Sequence, residues 1–309
     1  METCTCNEHL HTHASPLNMA LRRDPSRTLS LRSRFEKDMI RRFGRLKLAI
    51  LDALITKDVL ALAPRTPQVL EELQPRAFEF SRSADKITKF MKWLKEMERK
   101  EILTTEMRPG TFMGEEPWTN VYVQSAYQRG ISRARAELRK KGYDVPPTTG
   151  FTPMGRNPIT VAMNQPFHAD RLAMVYTRTF SELQGITDAM DQQISRVLAQ
   201  GMVEGRSAQD ITRMITDRVD SIGITRARTL ARTEVIVAHH QATINEYEQW
   251  GVSGVSVEAE WLTAGYNVCP LCAQLSRKIY SLEEIRGMIP AHPNCRCVAI
   301  PVIRERKRR

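Results

Sequence analysis

The sequence predicts a mainly α fold: a helical N-terminal region, a second helical bundle and a small C-terminal α+β module. Three observations carry that expectation. Apolar residues recur every three or four positions through most of the first 250 residues, the spacing of one face of a helix. A Pro- and Gly-rich interval, residues 143–166, divides this helical sequence in two. Beyond residue 251 the pattern turns to alternation, and four of the six cysteines gather between Cys269 and Cys297.

Residues 1–28 mix Cys4, Cys6, His9, His11 and His13 with no hydrophobic periodicity and are expected to be disordered. Met19 opens a stretch that reads more naturally as a chain start. Residues 29–142 make the expected N-terminal helical domain. In it Phe35, Met39, Phe43, Leu46, Ile50 and Leu54 mark one face of a helix from Leu31 to about Leu62, ended by Pro64 and Pro67. Arg32, Arg34, Lys37, Arg41, Arg45 and Lys47 flank that face, as a solvated surface or as a contact for phosphates. Arg76–Phe80 reads as a short strand. Ser83 or Asp85 then starts a helix with Ile87, Phe90, Met91, Leu94 and Met97 inward. Pro117 opens another, from Trp118 to about Lys141, packing through Val121, Ala126, Ile131, Ala134 and Leu138. Pro146, Pro147, Pro153 and Pro158, with Gly150 and Gly155, make residues 143–166 a linker or arm.

Residues 167–251 should form the second bundle. Its helices are Phe167–Leu183, Thr187–Gln200, Ala208–Asp220 behind the capping sequence Ser207-Ala208-Gln209-Asp210, and Ile224–Trp250, stopped by Gly251. Ala227, Ala231, Ala238 and Ala242 let a neighbouring helix approach the last of these closely. That helix also carries Glu234, His239, His240 and Glu246. Adjacent helical histidines point about 100° apart and do not face one ion. Glu234 is read as the ion-pair partner of Arg228 or Arg232, so no catalytic role is assigned here.

The C-terminal module, residues 252–303, begins with a strand over Val255–Leu262 that alternates Val255, Val257, Ala259 and Trp261 on one face; Cys297–Ile303 is its expected partner. Such a sheet is too small to be stable alone. Between the strands lie Cys269-Pro270-Leu271-Cys272 and His292-Pro293-Asn294-Cys295-Arg296-Cys297. Two thiolates two residues apart grip a tetrahedral ion from one turn, and soft ligands on a returning segment close the site. The spacing predicts one structural zinc held by four of Cys269, Cys272, His292, Cys295 and Cys297, making this an α+β zinc-binding module. A disulfide pair or inert thiols are the alternatives, and a reducing compartment argues against the former. A zinc deaminase needs His-x-Glu ahead of Pro-Cys-x-x-Cys. Here the order is reversed and no Glu accompanies His292. The βαβ setting of a thioredoxin-like redox pair is also missing.

The formal net charge of +11 and isoelectric point near 9.6 favour polyanionic partners, nucleic acid above all, with membrane headgroups open on charge alone; double-stranded DNA bound without sequence preference is the expected partner. Candidate phosphate contacts are Arg304, Arg306, Lys307, Arg308 and Arg309 of the basic tail (residues 304–309), with Arg41 and Arg45 on the first helix. The sequence has neither an apolar run of eighteen residues nor a secretory signal. A soluble protein made in the host cytoplasm, with no membrane partner, is expected.

Ala231-Arg232-Thr233-Glu234, Trp261-Leu262-Thr263-Ala264-Gly265, Val268-Cys269-Pro270-Leu271-Cys272 and Ala291-His292-Pro293-Asn294-Cys295-Arg296-Cys297, in that order, resemble the tailed-phage minor head proteins, also called Mu F-like or head morphogenesis proteins. The resemblance covers about residues 167–303. It implies a structural, non-enzymatic component of the virion, present in a few copies in the capsid interior. It also implies association with the portal protein, and a part in head assembly and DNA delivery. Some members carry a C-terminal toxin domain, which the short sequence after Cys297 is not expected to hold. Two other readings stand beside it: a metal-dependent enzyme acting on nucleic acid, and a free-standing zinc-containing DNA-binding regulator.

Overall fold

The computed structural model describes residues 24–60, 79–107, 115–150, 154–250, 256–265 and 267–304. In chain order the elements are α1 (Leu29–Leu51), a π-helical turn (Asp52–Thr56), α2 (Glu79–Glu101), β1 (Thr105–Met107), β2 (Glu115–Pro117), α3 (Asn120–Lys140), α4 (Pro158–Met163), α5 (Pro166–Val203), α6 (Ala208–Arg218), a π-helical segment (Val219–Ile224), α7 (Thr225–Trp250), β3 (Ser256–Leu262), α8 (Pro270–Leu275), β4 (Ile279–Ser281), α9 (Leu282–Arg286) and β5 (Val298–Arg304). The fold is mainly α with a small antiparallel sheet near its C-terminal end, as the sequence predicts.

Two compact units share the chain. Ser33–Val121 and Tyr176–Arg232 make a helical unit; Met1–Arg32, Tyr122–Val175 and Thr233–Arg309 make a second that contains the sheet. The division does not fall in the Pro-rich interval. Residues 143–166 include α4, whose Pro158, Ala162 and Met163 are buried, and Val145 joins the core beneath the sheet.

In the helical unit Phe35, Met39, Phe43, Leu46 and Ile50 of α1 are fully buried, with Leu54 close behind. Arg42 stacks 4.1 Å over Trp118, whose indole N–H donates to the Ile102 carbonyl. The helix expected to reach Leu62 ends at Leu51 and widens into a π-helical turn, while Pro64 and Pro67 lie outside the described residues. Glu79 and Phe80, read as part of a strand, open α2 instead; residues 76–78 lie outside the described residues. A break expected between Leu183 and Thr187 does not occur, and α5 runs through Gly185. A lone helical Gly costs only about 1 kcal/mol relative to Ala. The buried series Thr179, Leu183, Ile186, Met190, Ile194 and Val197 continues past it unbroken. Between α6 and α7 the backbone also stays helical, as a π-segment. Gly223 lies within it, where a Cβ would sit 2.5 Å from the Phe43 ring. Only a glycine permits that contact.

The hairpin β1–β2 was not expected, being short, polar and exposed. It takes in Pro117, so α3 starts two residues later than predicted, at Asn120. Val121 is accordingly 45% exposed, and Val123 takes its place in the buried series with Ala126, Ile131, Ala134 and Leu138.

In the second unit residues 24–28, expected to be disordered, cap α1. Asp24 accepts the Leu29 amide at 2.7 Å and the Arg32 guanidinium at 2.9 Å. Helices α3 and α7 approach so closely that a Cβ on Gly130 would meet the His239 carbonyl oxygen at 2.3 Å. The sheet has order β4-β3-β5, all antiparallel, with β3 and β5 paired from Ser256↔Arg304 to Leu262↔Val298. Val257, Ala259 and Trp261 face inward as the alternation predicts, joining Leu138, Ile236, Ile244, Tyr247 and three cysteines in one core.

Candidate metal centre

Cys269 has extended dihedrals (φ −68°, ψ 157°) and serves as N-cap of α8, where Pro270 occupies the first helical turn. Proline lacks an N–H that would be unpaired there and pre-sets the helical φ. The cap bond is the Cys272 amide donating to Cys269 Sγ at 3.3 Å, which brings both sulfurs to the same end of the helix. The returning segment turns through Asn294, in the left-handed region at φ 64°, and the Cys295 amide closes the turn on the His292 carbonyl at 3.1 Å. Cys297 ends the segment where β5 begins.

His292 Nε2 lies 3.2 Å from Cys269 Sγ and 3.2 Å from Cys272 Sγ, while Cys272 and Cys295 have their sulfurs 3.8 Å apart. Zn–S bonds of about 2.3 Å at tetrahedral angles put two sulfurs about 3.8 Å apart. His292 Nδ1 is 2.8 Å from the Pro293 carbonyl, which must be met by an N–H; Nε2 then presents its lone pair to the sulfurs. The five side chains form two overlapping groups, Cys269–Cys272–His292 and Cys272–Cys295–Cys297, either of which could hold a metal ion. All four cysteines are free thiols. A disulfide would need sulfurs about 2 Å apart.

The thiols are graded electrostatically. A hydrogen bond from Cys297 pulls the Cys295 thiol down to about 5. Burial, then the charge on Cys295, pushes Cys272 up to about 12; the Cys272 amide holds Cys269 below its ordinary value. Cys297 is pushed up by its bond to Cys295 and by burial. Metal binding takes thiolates, so the cysteines that are still protonated shed protons on uptake. Both donor groups are made of sulfur and imidazole alone.

Among the described residues none of the other sequence candidates belongs to either metal group. Arg41 pairs with Asp38, and Arg45 binds Glu101 at 2.6 Å. Arg304 is the last residue of β5, and Arg306, Lys307, Arg308 and Arg309 lie outside the described residues, as do Cys4, Cys6, His9, His11 and His13. Arg228 and Arg232, expected to serve Glu234, both bind Glu36 at 2.9 Å. His239 and His240 are buried and diverge: Nε2 of His240 donates to the Ile285 carbonyl at 2.9 Å, and neither joins a metal group.

One buried constellation escaped the sequence reading. Glu246 binds Arg135 and His168 at 2.9 Å each, His168 meets the Tyr127 hydroxyl at 2.9 Å, and Asn245 donates to that hydroxyl at 3.0 Å. The available signal was a Glu set among buried residues on α7.

Residues 192–300 match a family described as Phage Mu protein F like protein. The matched span runs from within α5 into β5 and contains every candidate ligand, so it is this segment of the chain that is similar to the family. No curated protein and no solved structure matches it. Among the described residues no helix is long and apolar enough to cross a membrane.

Proposed function

We propose that the protein is a phage minor head protein: a structural component of the capsid interior that associates with the portal protein. In this reading it takes part in head assembly and DNA delivery, and its basic segments neutralise phosphates of double-stranded DNA without sequence preference. One structural zinc staples its C-terminal sheet. The observation that carries the reading is that the family match and the five-ligand cluster occupy the same segment.

In this proposal Cys269, Cys272, His292 and Cys295 hold the metal and Cys297 donates its S–H to the Cys295 sulfur. Zinc, when bound, supplies the cross-link between α8 and the returning segment. The protein's own residues do the rest: the α8 cap aims two sulfurs, the Pro293 carbonyl sets the imidazole tautomer, and the buried strand face excludes water. A catalytic centre needs an open position and a general base. The sulfur and imidazole donor groups contain no such base, which favours a structural role.

Mass spectrometry of purified virions tests the functional proposal. The chain should be present at a small fixed ratio to the portal protein, and virions that lack it would overturn the assignment. Incubation of the protein with plasmid and zinc, magnesium or manganese should leave the DNA intact.

A further inference from the structure

We propose that Thr233 on α7 is a positioning residue for the metal centre, holding the turn that aims His292 and Cys295. The inference rests on the zinc reading above. Thr233 belongs to Ala231-Arg232-Thr233-Glu234, a motif that the proposed function does not otherwise use. Its hydroxyl accepts the backbone N–H of Asn294 at 3.1 Å, across 61 residues of sequence. Asn294 sits between two candidate ligands in the left-handed conformation, at φ 64°, a region rare for L residues in general that Asn enters several-fold more often than most.

The polar groups of this turn each have a stated job. The His292 carbonyl accepts from Cys295, the Pro293 carbonyl from the His292 ring, and the Asn294 amide reaches out of the loop to α7. The first two bonds shape the loop internally; the third fixes it to a helix. That helix is firmly seated, since Ala231 and Glu234 on either side of the motif's centre are buried. Two turns further on, α7 holds the sheet-side segment as well, through His240 on the Ile285 carbonyl at 2.9 Å and Gln241 on the Arg286 carbonyl at 3.2 Å. Helix α7 therefore spaces both ends of the segment that leads to the returning ligands. A threonine suits this work: its branched Cβ leaves χ1 essentially two rotamers in a helix, so a short hydroxyl has few places to go. Groups that orient metal ligands typically change metal affinity about 10–100-fold when removed.

The test uses the full-length chain and cobalt(II), whose absorption reports tetrahedral geometry. Affinity is measured by competition with a chelator for the wild type, Thr233→Val and Thr233→Ser. The expected result is one cobalt per chain in all three, with Thr233→Val about 10-fold or more weaker and its visible band altered, and Thr233→Ser close to wild type. Hydrogen exchange on the wild type provides a measurement free of any folding defect, and the Asn294 amide should be protected. Cobalt binding by Thr233→Val equal to wild type in affinity and spectrum, or an unprotected Asn294 amide, overturns the assignment. Wild-type protein that takes up no cobalt or zinc overturns the zinc reading itself, a result distinct from equal binding by the two proteins.

Discussion

Glu246 accepts two hydrogen bonds from Arg135, at 2.9 Å each, from a partner 111 residues earlier in the chain. His168 and the Trp250 indole also bind this carboxylate, at 2.9 and 2.7 Å. Burial alone would push Glu246 up, but the bonds to His168 and Arg135 outweigh it and hold the group below its ordinary value. Removing one member leaves a charge stranded in the interior. Glu246→Gln should destabilise the sheet-containing unit by about 3–5 kcal/mol, read by urea denaturation. Because the folded-state value is depressed, the contribution is present above the unfolded value and lost as pH falls through the folded one. A variant as stable as wild type at pH 7 would contradict this account of the network.

His240 gives a second acid sensitivity with a different window. Burial lowers it to about 4, although its bond to the Ile285 carbonyl works in the other direction. The unfolded chain takes up a proton near pH 6.5 and the folded chain does not until about 4. Stability therefore falls as pH drops through that interval, by on the order of 3 kcal/mol. Denaturation of His240→Gln between pH 7 and 5 should show a flatter dependence than wild type, and parallel curves would contradict the prediction.

The helical unit carries the opposite slope. Glu98 and Asp191 are buried carboxyls that share a hydrogen bond; burial first, then the charge of Asp191, raises Glu98 to about 9, and burial raises Asp191 too. A raised carboxyl stabilises fully below its unfolded value and loses that contribution as pH climbs through the folded one. Glu98→Gln keeps the shape and is buried without taking up a proton. It should stabilise the protein at pH 8 by on the order of 2 kcal/mol and leave it nearly unchanged at pH 4, as measured by thermal melts.

These networks mark where sequence reading stops. The stripe from Phe35 to Leu54 was legible because each member lies three or four residues from the next, and burial follows that spacing directly. Cys269 and Cys272 were legible for the same local reason, and their sulfurs do meet His292. The pairing of Arg135 with Glu246 and of Glu98 with Asp191 was not, since tertiary packing alone brings those side chains together. Strand β4 escaped because Ile279-Tyr280-Ser281 is too short to show alternation. The continuity of α5 escaped because Gly185 resembles a stop signal, yet a mid-helix glycine is a small cost beside a long buried stripe.

The DNA proposal makes its own prediction. With Arg41 and Arg45 each holding a carboxylate, the basic tail carries most of the proposed phosphate contact. Four tail contacts would lower affinity about 10^2-fold between 50 and 200 mM salt through lost counterion release. Removing residues 304–309 should flatten the slope of log affinity against log salt, and identical slopes would remove the tail from the proposed interface.

The zinc staple is tested most directly by metal analysis of protein purified under reducing conditions without chelator, compared across single cysteine variants. One zinc per chain is expected in the wild type and in Cys297→Ser, with Cys272→Ser losing the metal and loosening the sheet-containing unit, since metal binding here is also folding energy. Wild-type protein without zinc, its four C-terminal cysteines paired as disulfides by mass spectrometry, would contradict the account.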